Sequence, residues 1–187
     1  MINYLKQYLD LSEEAEQLIN ERIVIKEYKK GEHLFVKDDG CDDYFFVNEG
    51  LVRVYKVDEK GKDITLWITP ENDFTSTLHG MNPVKRRPNS CECLEDSVVT
   101  YFTHKDMLEL VSDNHELALV AIFVLFHIAN KAINMINELK QSGKVKLRDM
   151  LENHMELTQR IPNMHIASYL GITPETLSRI KSDILKG

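Results

Sequence analysis

The sequence predicts an α+β chain in three parts: an antiparallel β-sandwich or barrel, a long helix, and a small all-helical unit at the end. Three observations predict it. The hydrophobic spacing changes from a period of about 3.6 to a period of about 2 near Arg22, and back again after Thr103. Glycines punctuate the middle stretch at turn spacing, at Gly31, Asp39-Gly40, Glu49-Gly50 and Lys60-Gly61. Finally, Asn163 to Lys181 satisfies the steric rules of two short helices meeting at a sharp corner.

Residues 3 to 20 carry the first helical pattern, with Leu5, Leu9, Leu11, Ala15, Leu18 and Ile19 apolar and Ser12 placed to cap the turn that begins Glu13-Glu14. The strand candidates follow: Leu34 to Val36, Tyr44 to Val47, Leu51 to Tyr55 and Val98 to Phe102, with Ile64, Leu66 and Ile68 alternating against Thr65, Trp67 and Thr69. Many short strands joined by glycine turns build a sandwich or barrel. From about Asp106 to Lys140 one long helix carries two adjacent apolar seams. Ile122, Phe126, Ala129, Ile133 and Ile136 form one; Leu125, Ile128, Ala132, Met135 and Leu139 form the other. Two seams need two partners, one being the sheets and the other, at heptad spacing, the same helix of a second subunit. The first seam is the expected dimer interface; a single broad face buried within one subunit is the alternative. Gly143 marks an expected hinge, after which Lys146 to Thr158 forms another amphipathic helix and stops before Ile161-Pro162. The expected domains are 1–142, with the long helix at about 106–142, and 143–187.

In the last unit Ile166 and Leu170 lie one turn apart on the first short helix, and Leu177, Ile180 and Ile184 repeat the spacing on the second, so both bury one shared stripe. Ile172 fills the corner, Ala167 lets the helices cross closely, and Gly171 supplies the left-handed backbone that ends the first helix. Thr173 suits the N-cap of the second helix and Pro174 its first position, where a missing N–H is no loss. Pro174, Glu175, Ser178, Arg179 and Ser182 point away from the stripe as a slim polar ridge able to enter a major groove; with Thr173, Thr176 and Lys181 they are the candidate DNA contacts. Arg179 can donate two hydrogen bonds to guanine, and Glu175 can accept from a cytosine amino group. An ordinary αα-hairpin is the alternative, but its solvent face would more usually carry long Lys and Glu side chains.

At 187 residues and 43% hydrophobic content the chain can fill a sizeable core. Its net charge of −7 is uneven: Lys144 to Gly187 holds seven Lys and Arg against five Asp and Glu, leaving sixteen against twenty-five elsewhere. A mildly basic reading head on an acidic body implies few phosphate contacts and a shallow salt dependence. Three cysteines, Cys41, Cys91 and Cys93, are too few for a disulfide framework. Two residues apart on a strand, Cys91 and Cys93 read as small semi-buried fillers ahead of half a metal or redox site. No apolar run reaches the roughly 18 residues of a membrane span, and the N-terminus lacks a signal-peptide pattern, so a cytoplasmic protein without a membrane partner is expected.

In this order of parts the chain resembles the Crp/Fnr family of dimeric bacterial transcription regulators over essentially its whole length. The residues that carry the resemblance are Lys30-Gly-Glu-His-Leu-Phe35, the hairpin from Asp43 to Tyr55, and Ile166 to Ile180. It implies an antiparallel, cyclic-nucleotide-binding-like β-roll of jelly-roll type, a dimerisation helix and a helix-turn-helix domain, with double-stranded DNA and a second copy as partners. Glu175, Thr176 and Arg179 match the family's Glu-Thr-x-x-Arg contacts, while Pro174 stands where many members carry a basic base-reading residue. Members that bind cyclic AMP place a Gly-Glu pair after Asp-Phe, for the ribose hydroxyl, and an Arg followed by Ser or Thr for the phosphate. Here Ser76 and Thr77 follow Asp73-Phe74-Thr75, and Pro88 follows Arg86-Arg87. The implied effector region is therefore Phe74, Ser76, Thr77, Arg86 and Arg87, with a small effector other than cyclic AMP, or none. A solvated loop is the plain reading of the two arginines. The chain ends soon after the second short helix, so no β-wing is expected.

Two other functions compete. A cupin-like metalloenzyme would need converging histidines, but His33, His79 and His104 are scattered, so no metal, cofactor or catalytic site is expected. A ligand-binding dimer whose terminal helices contact protein is the second, separated from a regulator by DNA binding.

Overall fold

The structure, a computed structural model, describes residues 1–39, 43–76, 89–138 and 141–186. Two four-stranded antiparallel sheets face each other. One holds β1 (Val24–Tyr28), β8 (Ser97–Phe102), β3 (Tyr44–Glu49) and β6 (Asp73–Ser76) in that order; the other holds β2 (His33–Phe35), β7 (Ser90–Cys93), β4 (Leu51–Val57) and β5 (Asp63–Pro70). Phe35, Phe45, Val47, Val52, Val54 and Cys91 fill the space between them. The expected hairpin from Asp43 to Tyr55 is instead a corner, because β3 and β4 lie in different sheets. Gly50 makes that corner possible. Its φ is +96°, and a Cβ there would sit 2.8 Å from Asp96 O and Ser97 Cα.

The expected N-terminal helix is two helices, α1 (Ile2–Leu5) and α2 (Glu13–Arg22), and the Ser12 hydroxyl caps the second by accepting the Ala15 N–H at 3.2 Å. The expected helix from Asp106 to Lys140 is also two. α3 (His104–Asp113) starts in a capping box between Thr103 and Asp106, and α4 (His115–Glu138) starts after extended Asn114, whose Oδ1 accepts the Glu116 N–H at 2.8 Å. The apolar period runs on through this break, which is why it is invisible in the spacing. Helix α4 lies on the outer face of the first sheet, with Val124 and Ile128 against Phe46, Phe74 and Phe102.

Past α4, the stretch expected as one helix is α5 (Gly143–Asn153) and α6 (Met155–Arg160), parted at His154. Gly143 opens α5, and a Cβ on it would lie 2.7 Å from Ile172 Cγ2. Its missing side chain thus serves close packing, where a hinge was expected. α7 (Asn163–Leu170) and α8 (Pro174–Lys186) follow as the sequence predicts.

Among the described residues one helix, over His115–Asn137, is long and apolar enough by composition to cross a membrane, which the run-length reading did not anticipate. Its roll-facing side carries His127 and Lys131, both bonded to Asp73, partners that a lipid-embedded helix would have to forgo.

Candidate nucleic-acid interface and effector region

The corner between α7 and α8 has the backbone its sequence requires. Gly171 is left-handed, at φ 70° and ψ 28°, and the N–H groups of Gly171 and Ile172 close the end of α7 onto Ser168 O at 3.1 Å and Ala167 O at 3.0 Å. Thr173 Oγ1 accepts the Thr176 N–H at 3.2 Å, capping α8. Ile166, Ala167, Leu170 and Leu177 are buried together, with Ile172, Ile180 and Ile184 packed on them. Facing outward, Thr173, Pro174, Glu175, Ser178 and Arg179 are exposed, while Thr176, Lys181 and Ser182 are half-buried at the flank of the ridge. Lys181 Nζ donates to Asn163 Oδ1 at 2.7 Å, and burial lowers its pKa. The Glu175 carboxyl is held below its ordinary range by a backbone N–H and by Thr173 at the helix start.

The head formed by α5 to α8 is bound to the roll at points that periodicity does not reveal. Ser168 Oγ on α7 accepts the Thr65 N–H at 2.9 Å and donates to Asp63 O at 3.1 Å, covering the free edge of β5. Arg160 on α6 gives two hydrogen bonds to Glu71, at 3.0 and 2.9 Å, and two to Glu95, at 2.6 and 3.4 Å. Thr65 and Thr69, which alternate with the apolar positions of β5, are buried as well. Beneath α7, Arg53 is 3% exposed and bonds Asp63 through both terminal nitrogens and Glu92 through Nε, each at 2.6 Å. Burial works against that charge, but the hydrogen bonds it donates to Asp63 and Glu92 outweigh it and raise the pKa. His165 faces this group; burial and the Arg53 charge lower its pKa.

In the effector region Phe74 is 1% exposed, its ring 4.8 Å from that of Phe46, and Ser76 is buried at the end of β6. Thr77, Arg86 and Arg87, with His79 and Cys41, lie outside the described residues. The feature that sequence reading missed is Asp73. Its Oδ1 takes the Phe74 N–H and the His127 ring nitrogen, each at 2.7 Å, and its Oδ2 takes Lys131 Nζ at 2.6 Å. Burial alone would raise the Asp73 pKa, but the bond from His127 and the Lys131 charge hold it below the usual carboxylate range. Cys91 and Cys93 are buried, which raises both thiols, Cys93 to about 11. Thiolate, the reactive form, is scarce there at neutral pH. His33 shares a hydrogen bond with Tyr55 and His104 one with Tyr44, and among the described residues no cluster of three metal-ligating side chains forms.

The two seams of α4 differ in surroundings. Ile122, Phe126, Ala129, Ile133 and Ile136 face outward, Phe126 being 66% exposed. Of the second seam Ile128 is buried, Ala132 and Met135 are half-buried, and Leu125 is exposed.

Residues 25–114 match the family model described as the cyclic nucleotide-binding domain. No curated protein sequence matches the chain. Among solved structures, FixK2 of Bradyrhizobium japonicum is similar at 17% identity and a TM-score of 0.71, over 88% of this chain and 85% of that one. A protein from Eubacterium rectale, described as a transcriptional regulator of the Crp/Fnr family, is similar at 18% identity and 0.72, over 99% of this chain and 89% of that one. The global regulator CLP of Xanthomonas campestris, described as responsive to c-di-GMP, is similar at 12% identity and 0.70, over 94% of this chain and 92% of that one. The chain is thus similar to the cyclic nucleotide-binding domain over residues 25–114 and, along nearly its whole length, has the fold of the Crp/Fnr transcription regulators.

Proposed function

We propose that this protein is a cytoplasmic, homodimeric transcription regulator of Crp/Fnr type that reads double-stranded DNA through α8 and is not an enzyme. The observation that carries the reading is the ridge of α8: Pro174, Glu175, Ser178 and Arg179 are exposed while its apolar stripe is locked against α7. Residues 1–142 act as sensor and dimerisation unit and 143–187 as the reading head. Phe126, Ile133 and their neighbours on α4 meet the same helix of the second subunit, since an exposed apolar stripe at heptad spacing needs a partner.

The ribose and phosphate groups of cyclic AMP are poorly served by Ser76, Thr77 and Pro88, so the protein answers to another small molecule or to none. The similarity to CLP, which is described as answering to a different nucleotide, fits a fold whose effector changes between members. A change in the roll would pass to α4 and alter the separation of the two reading helices, against a DNA repeat of about 34 Å.

Selection of bound fragments from random duplexes by the purified protein tests this reading. A recovered two-fold symmetric site is expected, and Arg179→Ala should cost about 1–3 kcal/mol on it and relax preference at one base pair. Equal loss on every duplex would make Arg179 a phosphate contact, and no enrichment would overturn the regulator reading.

A further inference from the structure

A cavity of about 620 Å3 lies where the roll, α4 and the reading head meet. Small-molecule sites occupy about 300–1,000 Å3. The space is not the interior of the roll, which aromatic and branched side chains fill. Trp67, Ile68 and Phe74 form its roll side, and Ile128, Ala132 and Met135 its α4 side. The head closes it with Val145, Met150, Leu157, Ile161 and Tyr169.

Lys131, Asp73, Trp67 and Thr75 on the roll and α4 sides are already engaged in bonds with groups of those two sides, and Asn134 of α4 is exposed at the rim. An ammonium has three donors, and those of Lys131 go to Asp73 Oδ2 at 2.6 Å, Phe74 O at 3.0 Å and Thr69 Oγ1 at 3.2 Å. Trp67 Nε1 donates to Thr75 Oγ1 at 3.2 Å. Asp149 and His154 are exposed, and with Lys146 they mark the head-side rim. A charged ligand entering among these walls would lose its hydration and, among the described residues, would have to break an existing bond of Lys131, Asp73 or Trp67 to gain a partner.

We infer that this cavity binds an uncharged, largely apolar small molecule, of aromatic or branched hydrocarbon skeleton, with any polar group turned to the rim. Because the head supplies one side of the wall, occupancy favours whichever head position closes the cavity; this consequence rests on the regulator reading above.

The test is a fluorescence titration of the full chain with the uncharged fluorophore N-phenylnaphthylamine. Saturable emission at one probe per chain is expected, undisturbed by excess cyclic AMP. Ala132→Phe, which fills the cavity, and Val145→Trp, which closes it at a side chain that is 54% exposed and so tolerant of change, should each weaken binding by roughly tenfold or more. Folding of both is checked by thermal melting, and the second variant stands if the first misfolds. Absent or unsaturable emission, indifference to the folded variants, or displacement by cyclic AMP overturns the assignment. The same samples are assayed for duplex binding without probe: probe binding with no DNA binding sinks the regulator reading alone, and the converse sinks the cavity assignment alone.

Discussion

Replacing Arg160 with alanine should loosen the reading head from the roll while leaving each folded. The guanidinium holds Glu71 and Glu95 with two hydrogen bonds apiece. Its side chain is 29% exposed and theirs are 40% and 34% exposed, so solvent screens both pairs. Each is then worth about 0.5–1 kcal/mol, well short of a buried bridge. Losing both, about 1–2 kcal/mol, shifts the docking equilibrium by roughly 5- to 30-fold. The Thr65 amide reports that equilibrium, because its N–H is donated to Ser168 Oγ across the contact. Hydrogen exchange at Thr65 should quicken by the same factor in Arg160→Ala, while amides of β4 keep their rates. A cycle with Glu71→Gln separates the ion pair from lost packing of the arginine stem. Unchanged exchange at Thr65, or equal acceleration throughout the roll, would refute the reasoning.

Acidification should loosen the same contact in two stages. His165 is held below 6.5 in the docked state, so docking is unopposed above that value and is penalised as pH falls toward the lowered pKa; Arg53, Asp63 and Glu92 are the charges it faces. Glu71, held below 4.5 by Arg160, stabilises docking above that value and loses its contribution as pH falls through the lowered pKa. Thr65 exchange, corrected for its intrinsic pH dependence, should therefore rise on acidification, and His165→Gln should remove the first stage; a pH-independent corrected rate would contradict this. On α4, if the proposed dimer forms through this stripe, Phe126→Glu exchanges a side chain whose full burial is worth about 1.5–3 kcal/mol for a charge that meets its own copy. Sedimentation should show the wild type as a dimer and the variant as a monomer, and identical behaviour would remove the stripe from the interface.

The reading of the α7–α8 corner was complete in the sequence because each of its residues answers a local steric demand: Gly171 for a left-handed turn, Thr173 for a cap, Ala167 for a close crossing. Strands with glycine turns were legible for the same reason. Helix breaks at Asn114 and His154 were not, because hydrophobic spacing measures a face and the face continues across both. The corner at Gly50 looked like a hairpin because the turn residue is the same whether two strands pair or part into different sheets. Ser168, Arg160 and Asp73 were missed for a further reason: each acts on a segment distant in the chain, with nothing periodic to announce it.

Those distant contacts converge on one short turn. Where β5 turns into β6, Glu71 holds the head through Arg160, Asp73 at the start of β6 holds α4 through His127 and Lys131, and Asn72 between them is left-handed at φ 60°, its N–H fixed to Val47 O at 2.8 Å. A turn pinned in this way moves both elements or neither. Asp73→Asn keeps an oxygen for the Phe74 N–H but leaves Lys131 without a counter-charge and His127 without its carboxylate partner. The carboxylate is 19% exposed, and the loss should cost about 2–3 kcal/mol, below the figure for a fully buried pair. If the turn is one rigid body, the double variant Asp73→Asn with Arg160→Ala should depart from additivity by at least about 0.5 kcal/mol in urea unfolding, although the two side chains share no hydrogen bond. Additive costs would show the head and the long helix to be held independently, and coupling between them would then have to run through some other part of the roll.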